Sequence, residues 1–158
     1  MSYPDAQTLN QAYSSTQWLI KKHAGGLSHA DSVVQPLFKA NCFNWVLGHI
    51  ISGRNEALTY LGGPPLWAEE ELALYKTGSQ PITNSEQALP LERLLADLDK
   101  SLEQISARLD QITPEELEQI VETRFGERPV GQHIDGLQWH ETYHTGQLEI
   151  LRELALSS

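Results

Sequence analysis

Apolar residues recur at three- and four-residue steps over long stretches of this chain, and that period is typical of amphipathic α-helices. The first stretch runs from Asp5 to His23 and is followed by two glycines that favour a helix end. The second runs from Pro36 to Leu61, and its apolar residues cover most of the helix circumference. We therefore expect the second helix to be the most buried one.

Two further long helices are predicted in the second half of the chain. Leucine and isoleucine recur over 90–109 in alternating four- and three-residue steps, which indicates a helix packed along a neighbour. In the turn that follows, Thr113 can cap a helix, Pro114 suits its first position and Glu116 completes a capping box. The last long helix is expected over 131–154, which carries another apolar stripe.

No segment alternates as a half-buried strand would, so the pattern predicts an all-α protein. The stretch from Leu66 to Gln87 is richer in proline, glycine and polar residues, and its part LWAEEELALY favours one short helix. We interpret this stretch as a long crossover between the second and third long helices, which predicts a four-helix bundle. No repeat or shift in composition marks a boundary, so one domain is expected over 1–158.

Composition narrows the classes of partner. The chain has 11 Lys plus Arg against 21 Asp plus Glu and a net charge of −10, which disfavours nucleic acid and anionic membranes as partners. It lacks an apolar run of about 20 residues and the pattern of a signal peptide, so neither membrane insertion nor export is expected. Its one cysteine, Cys42, is interpreted as a buried core residue. These features favour a cytoplasmic protein.

The stretch HETYHTGQ, from His140 to Gln147, contains the H-E-x-x-H pattern of zinc proteases. On a helix, His140 and His144 lie on one face and can direct their imidazoles at one ion. A protease of this kind needs a further ligand downstream, but Gln147 and Ile150 stand where one such extension has glycine and histidine. The two glutamates that follow point away around the helix. A third ligand must therefore come from an upstream helix.

His49 is the best upstream candidate, because an imidazole in the middle of an apolar helix needs a polar partner. Three neutral imidazoles from two helices suit zinc, nickel or ferrous iron and leave positions open for water or substrate. The alternative is a surface pair at His140 and His144 with a hydrogen-bonded core histidine at 49. Leucines lie on the same face of the last helix as His140 and His144. That face is therefore expected to be buried, which disfavours the alternative.

Several neighbouring residues have open interpretations. Gly53, one turn after His49, either leaves room for a ligand or permits close helix packing. Glu56 is expected to hydrogen-bond a metal water or an imidazole N–H. Glu141 is predicted to point toward solvent, with a role as a base beside the metal as the alternative. His133 is too far along the helix to join the three histidines, so a surface position is expected, with the mouth of a pocket as the alternative.

Two motifs together resemble the DinB superfamily: W-x-x-G-H-I at 45–50 and H-E-x-Y-H-x-G-Q at 140–147. The resemblance extends along nearly the whole chain, including L-x-x-I-T-P-E-E-L at 109–117 and the F-G before the last helix. It implies an up-down-down-up four-helix bundle, often a homodimer, with a divalent metal held by three histidines. Those positions correspond to His49, His140 and His144. Some members use a low-molecular-weight thiol such as bacillithiol, mycothiol or glutathione.

The resemblance also implies a reaction with a small-molecule substrate. A metal in an open three-histidine site can stabilise a thiolate and present it to an electrophilic carbon. Carboxylates of such a thiol could be anchored by Arg54, Arg124 or Arg128. Aromatic residues are candidates for either pocket walls or core packing: Trp45, Trp139 and Tyr143. The alternative function is a non-catalytic metal-binding or dimeric stress-related protein.

Overall fold

A computed structural model describes residues 3–158, and this part of the chain is mostly helical. Seven α-helices, one 3-10 turn and one two-stranded sheet follow one another in the order α1 Ala6–Ala24, α2 His29–Ser32, α3 Phe43–Tyr60, α4 Glu69–Tyr75, the 3-10 turn Ser85–Gln87, α5 Leu91–Leu109, α6 Pro114–Leu117, β1 Ile120–Thr123, β2 Gly126–Pro129 and α7 Val130–Leu156.

The four long helices pack around two adjoining hydrophobic clusters. Helix α1 packs against α5 and α7, and α3 packs against the same two helices. One cluster joins the first halves of α3 and α5 to the ends of α1 and α7, and the other joins the first part of α1 to the ends of α3 and α5 and the start of α7. Because α3 contributes to both clusters, its apolar residues are buried around most of its circumference, as its sequence pattern predicts.

The predicted helix starts are confirmed where a side chain caps the backbone. Asp5 accepts a hydrogen bond from the backbone N–H of Thr8 at 2.8 Å and begins α1. Thr113 and Glu116 form the expected reciprocal capping box at α6. A cap of this kind is worth about 1 kcal/mol, and the signal is local, so it can be read from sequence.

The predicted start of the second long helix at Pro36 is wrong, because α3 begins only at Phe43. Leu37 and Phe38 are apolar but face solvent, with 101% and 58% of their surfaces exposed. The side-chain amide of Gln35 donates to the backbone carbonyl of Ile82 at 2.9 Å. This bond ties the segment to the crossover rather than to the axis of the helix.

The absence of strands was also a wrong prediction. Strands β1 and β2 form an antiparallel hairpin in which Ile120 is opposite Pro129 and Thr123 is opposite Gly126. Gly126 has a φ of 88°, which a residue with a Cβ rarely adopts. Both strands are only four residues long and largely exposed, so they have no buried face to impose alternation. The hairpin lies beside α7.

Within residues 3–158, no helix is both long enough and apolar enough to cross a membrane.

Candidate metal centre

The three histidines singled out in the sequence come together inside the bundle. His49 lies in the middle of α3, and His140 and His144 lie one turn apart on α7. The Nε2 atom of His140 is 3.4 Å from Nε2 of His49 and 3.0 Å from Nε2 of His144. One ligand atom from each residue can be chosen so that all three lie within 4.8 Å of one another. The three side chains can therefore hold a metal ion.

The outer nitrogens of two of these rings are fixed by oxygen acceptors. Nδ1–H of His49 donates to the backbone carbonyl of Tyr75 at 2.8 Å, and Nδ1–H of His144 donates to Oε1 of Gln147 at 2.7 Å. Each bond places the ring proton on Nδ1 and leaves a lone pair on Nε2. Metal-ligating histidines are held in this way in proteins, because the outer bond orients the ring and raises its basicity.

The three Nε2 atoms that face one another cannot all be hydrogen-bonded, because they carry too few protons. With Nε2 of His49 and His144 both carrying lone pairs, Nε2–H of His140 can donate to only one of them. A cation resolves this conflict by accepting all three lone pairs. With Zn–N bonds of about 2.0–2.1 Å in tetrahedral geometry, ligand nitrogens lie roughly 3.3 Å apart. Two of the observed separations, 3.0 and 3.4 Å, are close to that value, and the ligand atoms of His49 and His144 lie within 4.8 Å of each other.

Burial keeps the three imidazoles neutral at pH 7. Burial, the neighbouring His144 and His49 rings and Arg124 together lower the pKa of His140 to about 4. Burial also lowers the pKa of His49, although the carbonyl of Tyr75 opposes the shift, and that of His144, where Gln147 opposes it. A histidine must be neutral to bind a metal, so the site is in its ligating form without any deprotonation step.

The crossover shapes the site through Tyr75, which sequence reasoning missed. Its backbone carbonyl holds His49, and its buried ring lies against Gly48 so closely that a Cβ there would be 2.2 Å from the ring. The Tyr75 hydroxyl donates to Oδ1 of Asn44 at 2.9 Å and accepts from the backbone N–H of Leu89. The glycine before His49 was the available signal, because it makes room for this ring.

Two cavities meet at the three histidines. The larger one, of about 550 Å³, is lined by all three together with aromatic and aliphatic side chains that include Phe38, Trp45 and Ile150. The smaller one, of about 220 Å³, is lined by His49 and His140 but not by His144. Its other walls include Gly53, Glu56, Lys76 and Arg124. A ligand bound at the histidines can therefore extend in two directions.

The prediction that Glu141 points to solvent is wrong. Its side chain is 3% exposed and forms a two-point ion pair with Arg54, at 2.8 Å to Nε and 2.7 Å to an Nη atom. Thr16 donates to the same carboxylate, and Arg54 also donates to Gln17, Ser101 and the carbonyl of Leu98. Arg54 is 1% exposed and therefore cannot anchor a substrate.

Glu56 and His133 form a second pair near the centre. Nε2–H of His133 donates to Oε1 of Glu56 at 3.1 Å, and the ring of Tyr60 packs edge-on against the imidazole with ring centroids 4.4 Å apart. Glu56 thus binds an imidazole N–H, as expected, but not one of the three converging rings. His133 is 2% exposed, so the expected surface position is wrong. Burial lowers its pKa, and Glu56 opposes that shift.

The remaining candidates divide by exposure. Trp45 is buried, lines the larger cavity and stacks on His49 with ring centroids 4.8 Å apart. Trp139 and Tyr143 are 67% and 56% exposed, so core packing does not explain them. Cys42 is fully buried, as predicted. A Cβ added at Gly53 would meet nothing within 4 Å, so close helix packing is not the reason for that glycine.

Comparisons with known proteins agree with this fold. The chain matches the family model of the DinB superfamily over residues 12–148 and belongs to that superfamily, which confirms the resemblance seen in its motifs. It is similar in fold to a conserved protein from Enterococcus faecalis, with a TM-score of 0.75 and 16% identity over 96% of this chain and 97% of that one. No curated protein matches the chain.

Proposed function

We propose that this protein is a metal-dependent enzyme that activates a low-molecular-weight thiol for attack on a small electrophile. His49, His140 and His144 hold a divalent ion, which is zinc, nickel or ferrous iron. Such an ion supplies Lewis acidity, which favours the thiolate at neutral pH. The observation that carries the proposal is the convergence of three Nε2 atoms whose outer nitrogens are fixed on two of the rings.

Residues of this chain orient the imidazole ligands and line the cavity beside them. Tyr75 and Gln147 hold two imidazoles in the ligating tautomer through their oxygen atoms. Trp45 covers one face of His49 and borders the larger cavity, whose apolar side chains offer a surface for an apolar electrophile. Glu141 takes no part in proton transfer, because Arg54 and Thr16 occupy its carboxylate.

The metal site is tested by elemental analysis of untagged protein and three single variants. We expect about one divalent ion per chain in the wild type and loss of most of it in His49→Ala, His140→Ala and His144→Ala. The variant His23→Gln changes a histidine outside the cluster and should keep the metal. Full retention of metal in His140→Ala would exclude the proposed ligands.

The reaction is tested with the metal-loaded protein, a panel of thiols and the electrophile monochlorobimane. We expect the rate of fluorescent adduct formation to exceed that of His144→Ala by at least about tenfold for one of the thiols. Equal rates for both proteins with every thiol, while metal is bound, would instead support a non-catalytic metal-binding protein.

We also propose that the protein is a cytoplasmic homodimer whose four long helices run up-down-down-up. The support for the dimer is a seam on α7 in which exposed residues recur at alternating three- and four-residue steps, namely Gly136, Trp139, Tyr143, Gly146 and Ile150. Such a seam pairs with another helix. Light scattering after gel filtration should give twice the chain mass for the wild type and the monomer mass for Trp139→Glu. A monomeric wild type would exclude the dimer.

A further inference from the structure

We propose that Arg124 and Lys76 form a subsite for a carboxylate of the substrate in the smaller cavity, beside His49 and His140. The inference rests on the proposed function, because the carboxylate is taken to belong to the thiol bound at the histidines. It adds a substrate class, namely thiols that carry a carboxylate a few bonds from sulfur.

The smaller cavity has the charge and size for such a group. Its walls bring together the cationic side chains of Lys76 and Arg124 and the two imidazoles that face the metal position. Within residues 3–158, its one carboxylate, Glu56, accepts a hydrogen bond from His133 at 3.1 Å, and together with Lys76 and Arg124 it leaves the walls with one net positive charge. The volume of about 220 Å³ admits a short carboxylic acid.

Arg124 is an exposed residue whose side chain lines the smaller cavity. It lies in the turn between β1 and β2 with its guanidinium carbon 4.9 Å from the centroid of the Phe125 ring. Among residues 3–158, no carboxylate lies within 4 Å of it. An arginine can bind a carboxylate through two parallel hydrogen bonds.

The larger cavity differs in a way that orients the substrate. Lys39 is the one charged side chain among the residues that line it, and most of its walls are apolar or aromatic. A carboxylate loses hydration on entering an apolar cavity unless it is paired, whereas an apolar electrophile does not. The smaller cavity offers two cations to a carboxylate and the larger one offers only Lys39, so we place the charged end of the thiol beside Arg124 and Lys76 and the electrophile in the larger cavity. This division is notable in a chain with a net charge of −10.

The subsite is tested with protein loaded with Co²⁺, using the thiolate-to-cobalt charge-transfer absorption as the signal for binding. The probes are 3-mercaptopropionate, which carries a carboxylate, and 2-mercaptoethanol, which carries none. We expect the wild type to bind 3-mercaptopropionate at least about tenfold more tightly than 2-mercaptoethanol, with the preference falling as salt is added. In Arg124→Gln the preference should fall to about twofold or less, and in Lys76→Gln to an intermediate value.

The matched control is Lys100→Gln, which removes one positive charge from an exposed position on α5 and should keep the full preference. All variants should keep the wild-type affinity for 2-mercaptoethanol, which shows that the metal centre is intact. Equal affinities for the two probes in the wild type, or an undiminished preference in Arg124→Gln, would exclude the subsite and leave the metal centre standing. Failure to bind cobalt would overturn the proposed function and the subsite with it.

Discussion

Two polar clusters lie side by side between α3 and α7, one buried and one partly exposed, and they differ in whether hydrogen bonds within the protein satisfy all their polar atoms. In one cluster, Arg54 and Glu141 are paired by two hydrogen bonds, and neighbouring side chains satisfy their other polar atoms. In the other, His49, His140 and His144 direct nitrogens at one another with too few protons to pair them. The sequence neighbours His140 and Glu141 therefore belong to clusters of opposite kinds.

The contrast separates structure from function. A buried polar cluster that is fully paired stabilises one packing arrangement of the helices and requires no partner. A partly buried cluster whose lone pairs are not hydrogen-bonded is less favourable alone than when a ligand accepts those lone pairs. On this basis the ion pair is a structural element of the bundle, and the three histidines are the candidate for chemistry.

The largest change in the free energy of unfolding is expected from breaking the ion pair between Arg54 and Glu141. Glu141→Ala leaves the guanidinium of Arg54 buried without its counter-ion, which should lower the free energy of unfolding by about 3–5 kcal/mol. Urea denaturation of the metal-free protein measures this change. The double variant Arg54→Met with Glu141→Leu removes both charges and should recover most of the loss. A loss below about 1 kcal/mol in Glu141→Ala would contradict the structural role given to the pair.

Binding of zinc to the three histidines should stabilise the folded protein. Zinc at about 100 times its dissociation constant should add roughly 2.7 kcal/mol to the free energy of unfolding, because the unfolded chain has no assembled site. Thermal denaturation with zinc and then with excess chelator measures the gain and its reversal. His140→Ala should abolish the gain, and His23→Gln should retain it. An equal zinc effect in His140→Ala would place the ion elsewhere.

A smaller effect is expected where the crossover touches the histidine cluster. Gly48→Ala introduces a methyl group at 2.2 Å from the ring of Tyr75, so the ring must move, at a cost of about 1–3 kcal/mol. The same movement shifts the carbonyl that holds His49, so zinc affinity should fall as well. Denaturation and competition with a chelator measure the two effects. Unchanged zinc affinity would show that this carbonyl does not orient the ligand.

The smallest effect has the opposite sign. Gly53→Ala adds a methyl group that meets nothing within 4 Å, so the gain in helix propensity should stabilise the protein by about 0.5–1 kcal/mol. Because Gly53 lines the smaller cavity, the methyl group should also weaken binding of 3-mercaptopropionate to the cobalt-loaded protein. Stabilisation with unchanged thiol affinity would mean that the ligand does not use this part of the cavity.

Sequence alone predicts the histidine cluster better than the ion pair, and the reason is geometric. The relation of His140 to His144 depends only on the period of one helix, and His49 is conspicuous because its surroundings are apolar. The pairing of Glu141 with Arg54 depends on how α3 and α7 are rotated against each other. Considered on its own helix, Glu141 lies about 100° from its histidine neighbour, and that direction is buried only because α3 and α1 cover it.

The helices and strands also differ in how well local sequence signals predict them. Helices α1 and α5 begin and end within about one residue of their predicted limits, because caps and apolar stripes are local signals. The late start of α3 goes with a hydrogen bond from Gln35 to the crossover, which is a contact distant in sequence. The hairpin has no buried face, so its strands show no alternation of apolar and polar residues from which they could be predicted. The cations that line the smaller cavity come from the crossover and that hairpin, the two segments with the weakest patterns.

Through Tyr75, the crossover can affect the chemistry of the histidine cluster as well as its structure. Its carbonyl accepts the outer proton of His49, so the strength of that bond sets how strongly the ring donates electrons to an ion. A substitution that tilts α4 would alter the electrophilicity of the bound ion while leaving every ligand in place. Reactivity could therefore diverge among related chains through a short helix outside the bundle, with identical coordinating residues.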